Sequence, residues 1–283
     1  MSAIETLLAG LIDYAGLYPP AALDMGTAVR NYLGYRTGKH GFALGRFIVD
    51  ATRLDELCGA AGGAVSDIPL SVIVSADASH DSIGEVLDTD LQVGSIEIKC
   101  SEPMTIRRIC EGLPRQLRRF FEVPIRPGSS ETIDAVASAG ACAKLRMGGV
   151  VPDAFPSPGD VIAWLQLVAD RRVPFKATAG LHHPIRARHR LTYSLDSPCA
   201  VMHGFLNLFC AAIFAYDGEF ELGRAILEEE NPVAFRLIPD CIVWRTHEFT
   251  MEHIRTIRKD FFTSFGSCSF AEPLLDLEAF GWL

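Results

Sequence analysis

The chain has 283 residues, of which 49% are hydrophobic and 22% are charged, and its formal net charge at pH 7 is -9. This length and composition predict a folded globular protein with one large α/β domain or two small ones. The acidic balance argues against a nucleic-acid partner, because phosphate backbones are bound by clustered Lys and Arg on a basic surface.

Helical patterns dominate the first 40 residues. Two helices are predicted there, and the second runs from Asp24, a residue type that caps helix N-termini, to about Thr37. Between the two helices, "GLYPPA" with Asp13 and Tyr18 would form a lid or plug at one end of the domain, or a rigid connector. The first helix is predicted over residues 2–13 from aliphatic side chains spaced along one helix face: Ile4, Leu7, Leu8, Leu11 and Ile12.

Neither the N-terminus nor the apolar runs indicate export or membrane insertion. The N-terminal segment contains acids and lacks the basic region of a secretory signal. The longest apolar run, 204–216, is interrupted by Asn207 and is shorter than the roughly 20 residues of a membrane span. We therefore expect a cytoplasmic protein without a membrane partner.

Six short segments with β character follow at regular intervals. They cover residues 45–50, 69–75, 94–100, 119–125, 142–148 and 173–180, and their ends lie about 23 to 32 residues apart. Because the segments between them have helical patterns, we predict parallel strands joined by right-handed crossovers. The alternation weakens after residue 180, where 235–244 predicts two strands around a Pro-Asp turn. "SFGSCS" at 264–269 is typical of an anion-binding nest or of an ordinary turn.

The faces of the strands distinguish a closed barrel from a doubly wound open sheet. Successive side chains on a strand point to opposite sides. Four consecutive strands each have one apolar and one polar face, with the polar faces formed by Glu97 and Lys99, by Glu122, by Lys144 and Arg146, and by Lys176 and Thr178. An open sheet is covered by helices on both faces and favours apolar strands, whereas a barrel accepts polar side chains inside. We therefore predict a single α/β domain over 1–283, a (β/α)8 TIM-like barrel at 41–283 that is irregular after the sixth strand, with residues 1–40 as an N-terminal helical extension.

A closed barrel would collect six charged side chains, two acids and four bases, in one cavity. They are Glu97, Lys99, Glu122, Lys144, Arg146 and Lys176. Burying a charge costs several kcal/mol unless it is paired, so we expect an ion-pair network, a bound anion, or both. The Arg146 guanidinium suits a carboxylate or phosphate. This predicts a small anionic metabolite as the ligand, with Glu97, Lys99, Arg146 and Thr178 in binding roles; the alternative is that the charges only pair with one another.

Lys176 is the first candidate for covalent chemistry. Apolar neighbours and a second lysine on the adjacent strand, Lys144, would lower its pKa and free the amine to attack a carbonyl group. Glu122 or Glu97 would then transfer protons. The alternative is that Lys176 stays charged and only holds an anion.

The histidines and arginines after the sixth strand would lie over the cavity. His182 and His183 are predicted to act in acid–base chemistry, and Arg186 and His203 in anion binding. No HxH or HExxH spacing indicates a metal site. We also predict no cofactor, because the nucleotide-binding glycine motifs do not occur in the required context.

The segments "AKLRMGG" and "FKATAGL" resemble the two lysine strands of deoxyribose-phosphate aldolase and related class I aldolase barrels. This resemblance implies a lyase in which Lys144 and Lys176 form a pair, one as the Schiff-base amine and the other lowering its pKa. The chain departs from the pattern at Arg146 and Met147, which replace Ser-Thr, and at the paired histidines. "FKATAGLHHP" and "SFGSCSF" also resemble an uncharacterised bacterial protein family, which implies no activity.

Three hypotheses follow from the sequence. The first is a lyase or isomerase that acts on a small anionic carbonyl substrate through a Schiff base on Lys176 or Lys144. The second is a divalent-metal barrel enzyme for enolisation or hydrolysis, with Glu97, Glu122 and one of His182, His183 or His203 as ligands. The third is a barrel that binds an anionic metabolite without catalysis. A homo-oligomer remains open in all three.

Overall fold

A computed structural model of the chain describes residues 1–114, 116–126 and 128–283, with the side chains of 80–82 outside the description. These residues form thirteen strands: β1 (Ile12–Tyr14), β2 (Leu44–Asp50), β3 (Leu70–Val74), β4 (Val93–Ile98), β5 (Arg118–Glu122), β6 (Cys142–Arg146), β7 (Phe175–Thr178), β8 (Ala187–Arg190), β9 (Cys199–Met202), β10 (Phe235–Ile238), β11 (Cys241–Trp244), β12 (His247–Thr250) and β13 (Phe262–Ser267).

Eleven α-helices accompany the strands in the described part of the chain. They are α1 (Ala3–Leu8), α2 (Met25–Thr37), α3 (Leu54–Ala61), α4 (His80–Leu87), α5 (Pro103–Glu111), α6 (Ser129–Ser138), α7 (Pro158–Asp170), α8 (Phe205–Tyr216), α9 (Phe220–Leu227), α10 (Met251–Asp260) and α11 (Ala271–Ala279). None of these helices has both the length and the apolar content needed to cross a membrane.

Eight of the strands close into a parallel barrel, which confirms the predicted (β/α)8 TIM-like fold. Strands β1 to β7 follow one another around the barrel in chain order, and β13 closes it between β7 and β1. The six strands predicted from the sequence correspond to β2 through β7. Residues 179–261 interrupt the alternation with the β8–β9 hairpin, three helices and the antiparallel β10–β11–β12 sheet. The predicted irregularity and the turn at Pro239-Asp240 are therefore confirmed.

The prediction of one helix over residues 2–13 is wrong in its second half. Helix α1 ends at Leu8, Gly10 adopts a left-handed φ of +58°, and the chain then enters β1. Residues 1–40 are therefore not only a helical extension, because they supply a barrel strand. "SFGSCS" likewise lies mostly in strand β13 instead of a nest. The sequence pattern does not indicate either strand. β1 has only three residues, and its first, Ile12, continues the apolar spacing of the helix before it, whereas β13 places Ser and Gly toward the interior.

The close packing of β1 against β2 requires a glycine at position 45. A Cβ atom there would collide with Asp13 Oδ1 and lie 3.1 Å from the Gly10 carbonyl oxygen. We expect Gly45→Ala to lower the free energy of unfolding by about 1–3 kcal/mol, because backbone and a hydrogen-bonded carboxylate would have to move. Urea denaturation measures this change.

Gly34→Ala is the matched control. Gly34 lies in α2 with nothing within 4 Å of the added Cβ, so alanine there should stabilise the protein by about 0.5–1 kcal/mol. Equal effects of the two substitutions would contradict the proposed β1–β2 contact.

Candidate active site

Six side chains of alternating charge form a continuous network through the barrel interior, which we call the ion chain. From the deepest member to the mouth it consists of Asp13, Lys176, Glu97, Lys144, Glu122 and Arg146. Three carboxylates and three cations make its formal charge zero. The predicted ion-pair network therefore exists, and Asp13 from β1 belongs to it and not to a lid or connector.

Lys176 lies at the deep end of the ion chain, between two carboxylates. Its Nζ is 2.6 Å from Asp13 Oδ2 and 2.6 Å from Glu97 Oε1. Lys176 has no solvent exposure, and Asp13 and Glu97 are each 1% exposed. Ser264 donates a hydrogen bond of 2.7 Å to Asp13 Oδ2, and Ser71 donates one of 2.7 Å to Glu97 Oε1. These partners hold both carboxylates in fixed positions.

The surroundings raise the pKa of Lys176 instead of lowering it. Burial alone lowers this pKa, but the charges of Asp13 and Glu97 and their hydrogen bonds outweigh that effect. The expectation of a lowered pKa for Lys176 is therefore wrong. The apolar neighbours and Lys144 alone would lower the pKa of Lys176. The charges of Asp13 and Glu97 reverse the direction, and Asp13 becomes a neighbour of Lys176 only because β1 is a strand of the closed barrel.

Lys144 lies one step closer to the barrel mouth. Its Nζ is 3.0 Å from Glu97 Oε2 and 3.1 Å from Glu122 Oε2. Arg146 Nε donates to Glu122 Oε1 at 2.9 Å, and half of the Arg146 side chain is exposed. In the barrel, Lys144 is opposite both Glu122 on β5 and Lys176 on β7. Lys144 is thus the lysine of the ion chain that has access to the mouth.

A cavity of about 410 Å³ opens above the ion chain at the C-terminal ends of the strands, where TIM-barrel enzymes carry their active sites. Seven of the predicted site residues line it: Glu97, Lys99, Glu122, Lys144, Arg146, Thr178 and His182. The cavity walls also include apolar side chains, among them Ile48, Ile73, Leu191 and Met202. Lys176 lies beneath the floor and does not line the cavity. A ligand in this space would meet a polar floor and largely apolar walls.

Lys99 provides a cation at the mouth. It is exposed, lines the cavity and forms no ion pair with any described side chain. It lies two residues beyond Glu97, and Arg146 lies two residues beyond Lys144, which places both cations roughly 6–7 Å further toward the mouth than the floor. This arrangement suits a ligand whose anionic group points outward.

Besides Lys176, three predicted site residues lie outside the cavity. His183 Nδ1 is 2.6 Å from Asp276 Oδ2 on α11. Arg186 Nε donates to Glu230 Oε1 at 3.2 Å. His203 is buried, its Nε2 donates to the Pro156 carbonyl at 2.8 Å, and burial lowers its pKa to about 4. The predicted roles of these residues in the site are therefore not supported by their positions.

His182 remains at the cavity wall, but it is engaged elsewhere. Its Nδ1 is 3.0 Å from Glu272 Oε2 on α11. The loop after β7 is therefore tied to the last helix through this pair and the His183 pair beside it. Sequence spacing alone could place both histidines near the mouth, but it could not identify the acids of α11 that orient them.

The described side chains include no group of three or more His, Cys, Asp and Glu that could hold a metal ion. In the set proposed from the sequence, Lys144 Nζ lies between the carboxylates of Glu97 and Glu122. An ammonium group thus occupies the position between these carboxylates that the metal would need. The residues present do not fit the predicted metal site.

Comparison with known proteins gives little further information. No protein-family model matches the chain, and no curated protein matches it. Among solved structures, a nitroalkane oxidase from Streptomyces ansochromogenes aligns with a TM-score of 0.37 and 15% identity, over 65% of this chain and 62% of that chain. The chain thus spans less than two thirds of that protein's length. A likeness this distant carries no argument about activity, and no family assignment supports the aldolase resemblance.

The alternating charges predict how the protein responds to removal of one charge or of a pair. Lys176→Met would leave Asp13 unpaired, and we expect a loss of about 3–5 kcal/mol in the free energy of unfolding. The double variant Asp13→Asn/Lys176→Met removes a neutral pair and leaves Glu97 bonded to Lys144, so it should recover part of this loss. Chemical denaturation measures these two variants and Asp13→Asn alone. A double variant whose loss of stability equals the sum of the losses of the two single variants would contradict the pairing.

The pKa of Glu97 predicts how its contribution depends on pH. Burial raises the pKa of Glu97. The charges of Lys176 and Lys144 and the hydrogen bonds from Lys176 and Ser71 lower it by more than burial raises it, so the pKa lies well below the ordinary 4.5. A lowered pKa stabilises the folded state fully above about pH 4.5, and this stabilisation is lost as the pH falls toward the folded-state value. We expect Glu97→Gln to be less stable than the wild type at neutral pH, with a difference that narrows between about pH 5 and pH 3. Urea denaturation across this range tests the prediction, and a constant difference would contradict it.

Proposed function

We propose that the protein is a lyase or isomerase that acts on a small anionic carbonyl compound, with Lys144 as the amine that forms a Schiff base. The main observation is the position of Lys144, whose Nζ reaches the cavity floor between Glu97 and Glu122. Lys176, the first candidate from the sequence, lies below the floor and is held between two carboxylates. Lys144 and Lys176 are opposite each other in the register of the adjacent strands β6 and β7. This position agrees with the two lysine strands of the aldolase resemblance.

The proposed chemistry begins with the ammonium form of Lys144. Glu122 accepts one proton from it, and the free amine attacks the carbonyl carbon of the substrate. As the new carbon–nitrogen bond becomes double, the former carbonyl oxygen leaves as water with two of the three protons that Lys144 carried at the start. One comes from the nitrogen and the other is returned by Glu122, which is then a carboxylate again. The product is a protonated imine, so atoms and charge balance without a further reactant.

Glu122 is better placed than Glu97 for this proton transfer. Its side chain is 11% exposed and lines the cavity, whereas Glu97 is 1% exposed and also accepts bonds from Lys176 and Ser71. The protonated imine then withdraws electrons from the neighbouring carbon. Loss of a proton from that carbon leads to isomerisation, and breakage of a carbon–carbon bond leads to a lyase reaction.

Borohydride reduction tests the proposed Schiff base. The protein is incubated with a panel of small oxo acids, reduced and mapped by peptide mass spectrometry. We expect one substrate-derived adduct on Lys144. Lys144→Arg keeps the charge but cannot form the imine, so it should show no adduct there, while Lys99→Arg should retain it.

Two outcomes would reject this function. An adduct found only on other lysines would remove Lys144 from the proposed role. Absence of any adduct, together with a bound ligand recovered chemically unchanged after long incubation, would favour the hypothesis of a metabolite-binding barrel without catalysis.

Lys99 supplies a separate prediction about the anionic group. If its ammonium binds that group equally in the ground state and the transition state, Lys99→Gln should raise KM about fivefold and leave kcat unchanged. The modest size reflects the exposure of Lys99 to solvent. Steady-state kinetics at low ionic strength measures the effect, and Lys39→Gln, at an exposed ion pair with Glu278, is the control. A fall in kcat with unchanged KM would contradict a pure binding role.

A further inference from the structure

Tyr18 lies in the loop after β1 and has an unpaired hydroxyl group at the cavity. Its Oη is buried and forms no hydrogen bond with the described protein atoms. Five buried side-chain atoms share this property, and they belong to Tyr18, Arg119, His189, His203 and Arg258. Of these residues, only Tyr18 lines the cavity above the ion chain. A buried hydroxyl without a partner loses its hydrogen bonds to water and gains none in return, so its position calls for a functional explanation.

The loop backbone keeps Tyr18 in place. Tyr18 N donates to the Ala15 carbonyl at 2.9 Å, and Ala22 N donates to the Tyr18 carbonyl at 3.0 Å. Strand β1 is three strands away from β6 around the barrel, counted through β13 and β7. Tyr18 and Lys144 therefore reach the same cavity from different sides. A carbonyl compound bound in this cavity would lie in a space that both side chains line.

We propose that Tyr18 is a catalytic residue that donates a hydrogen bond to the carbonyl oxygen of the substrate while Lys144 attacks the carbon. This inference rests on the proposed function. The hydroxyl group polarises the carbonyl and stabilises the negative charge that develops on oxygen, as an oxyanion-hole donor does. The proton stays on Tyr18, so this role adds no step to the proton transfers between Lys144, Glu122 and the departing water.

The electrostatic surroundings of Tyr18 agree with a donor that remains protonated. Burial raises the pKa of Tyr18 far above its ordinary value, and the nearby charges of Asp50 and Glu97 raise it further. A raised pKa favours the neutral phenol, which is the form that donates a hydrogen bond. The imine step should show no alkaline limb that belongs to this tyrosine.

Tyr18→Phe removes only the hydroxyl group and tests the proposal. We expect the single-turnover rate of imine formation on Lys144, followed by borohydride trapping at timed intervals, to fall about 100-fold to 1000-fold. KM should change little, and urea denaturation should show stability equal to or above that of the wild type, because no protein hydrogen bond is lost. Tyr35→Phe in α2, where the ring contacts Phe270 outside the barrel, should leave the rate unchanged.

The outcomes separate the two proposals. Normal trapping rates on Lys144 in Tyr18→Phe would overturn the role of Tyr18 and leave the proposed function intact. Absence of any Lys144 adduct in the wild type would overturn both. A slow Tyr18→Phe variant that is also strongly destabilised would reject the donor role in favour of a structural one.

Discussion

The burial of Lys176 between Asp13 and Glu97 is the constraint on which the rest of the interior depends. The three residues come from β7, β1 and β4, so their ion pairs cross the barrel instead of following its wall. An uncompensated charge at this depth would cost several kcal/mol, and each partner is therefore needed once the others are present. Asp13 in turn requires Gly45 on β2, where no side chain can be accommodated beside its carboxylate.

The same constraint separates the roles of the two lysines. Asp13 and both oxygens of Glu97 are engaged by Lys176, Lys144 and serine hydroxyl groups. The deep lysine is thus stabilised as an ammonium ion within a fixed network, and its removal mainly affects stability. Lys144 and Lys176 both form ion pairs with Glu97, but the second partner of Lys144 is Glu122 at the cavity floor. Of the two lysines of the ion chain, Lys144 is therefore the one that lines the cavity.

The sequence predicts the fold and much of the site through the alternation of polar and apolar side chains on four strands. That alternation correctly indicates which side chains point inward, including Glu97, Glu122 and Lys144. It cannot indicate how deep each side chain lies, because depth depends on how the strands are staggered around the barrel. Strands β1 and β13 carry no such alternation. Without them, neither the place of Asp13 in the network nor the direction of the Lys176 pKa shift could be predicted.

The distribution of satisfied and unsatisfied groups gives the strongest argument for where a ligand binds. The ion chain is electrically neutral and internally bonded, so on its own it would be a packed ionic core without need of a ligand. Two groups at the cavity do not fit that description. Lys99 forms no ion pair with the described side chains, and the buried hydroxyl of Tyr18 has no hydrogen-bond partner among the described atoms. A cation at the mouth and a hydroxyl donor at the cavity would complement an anionic group and a carbonyl oxygen, which is the ligand class that we propose.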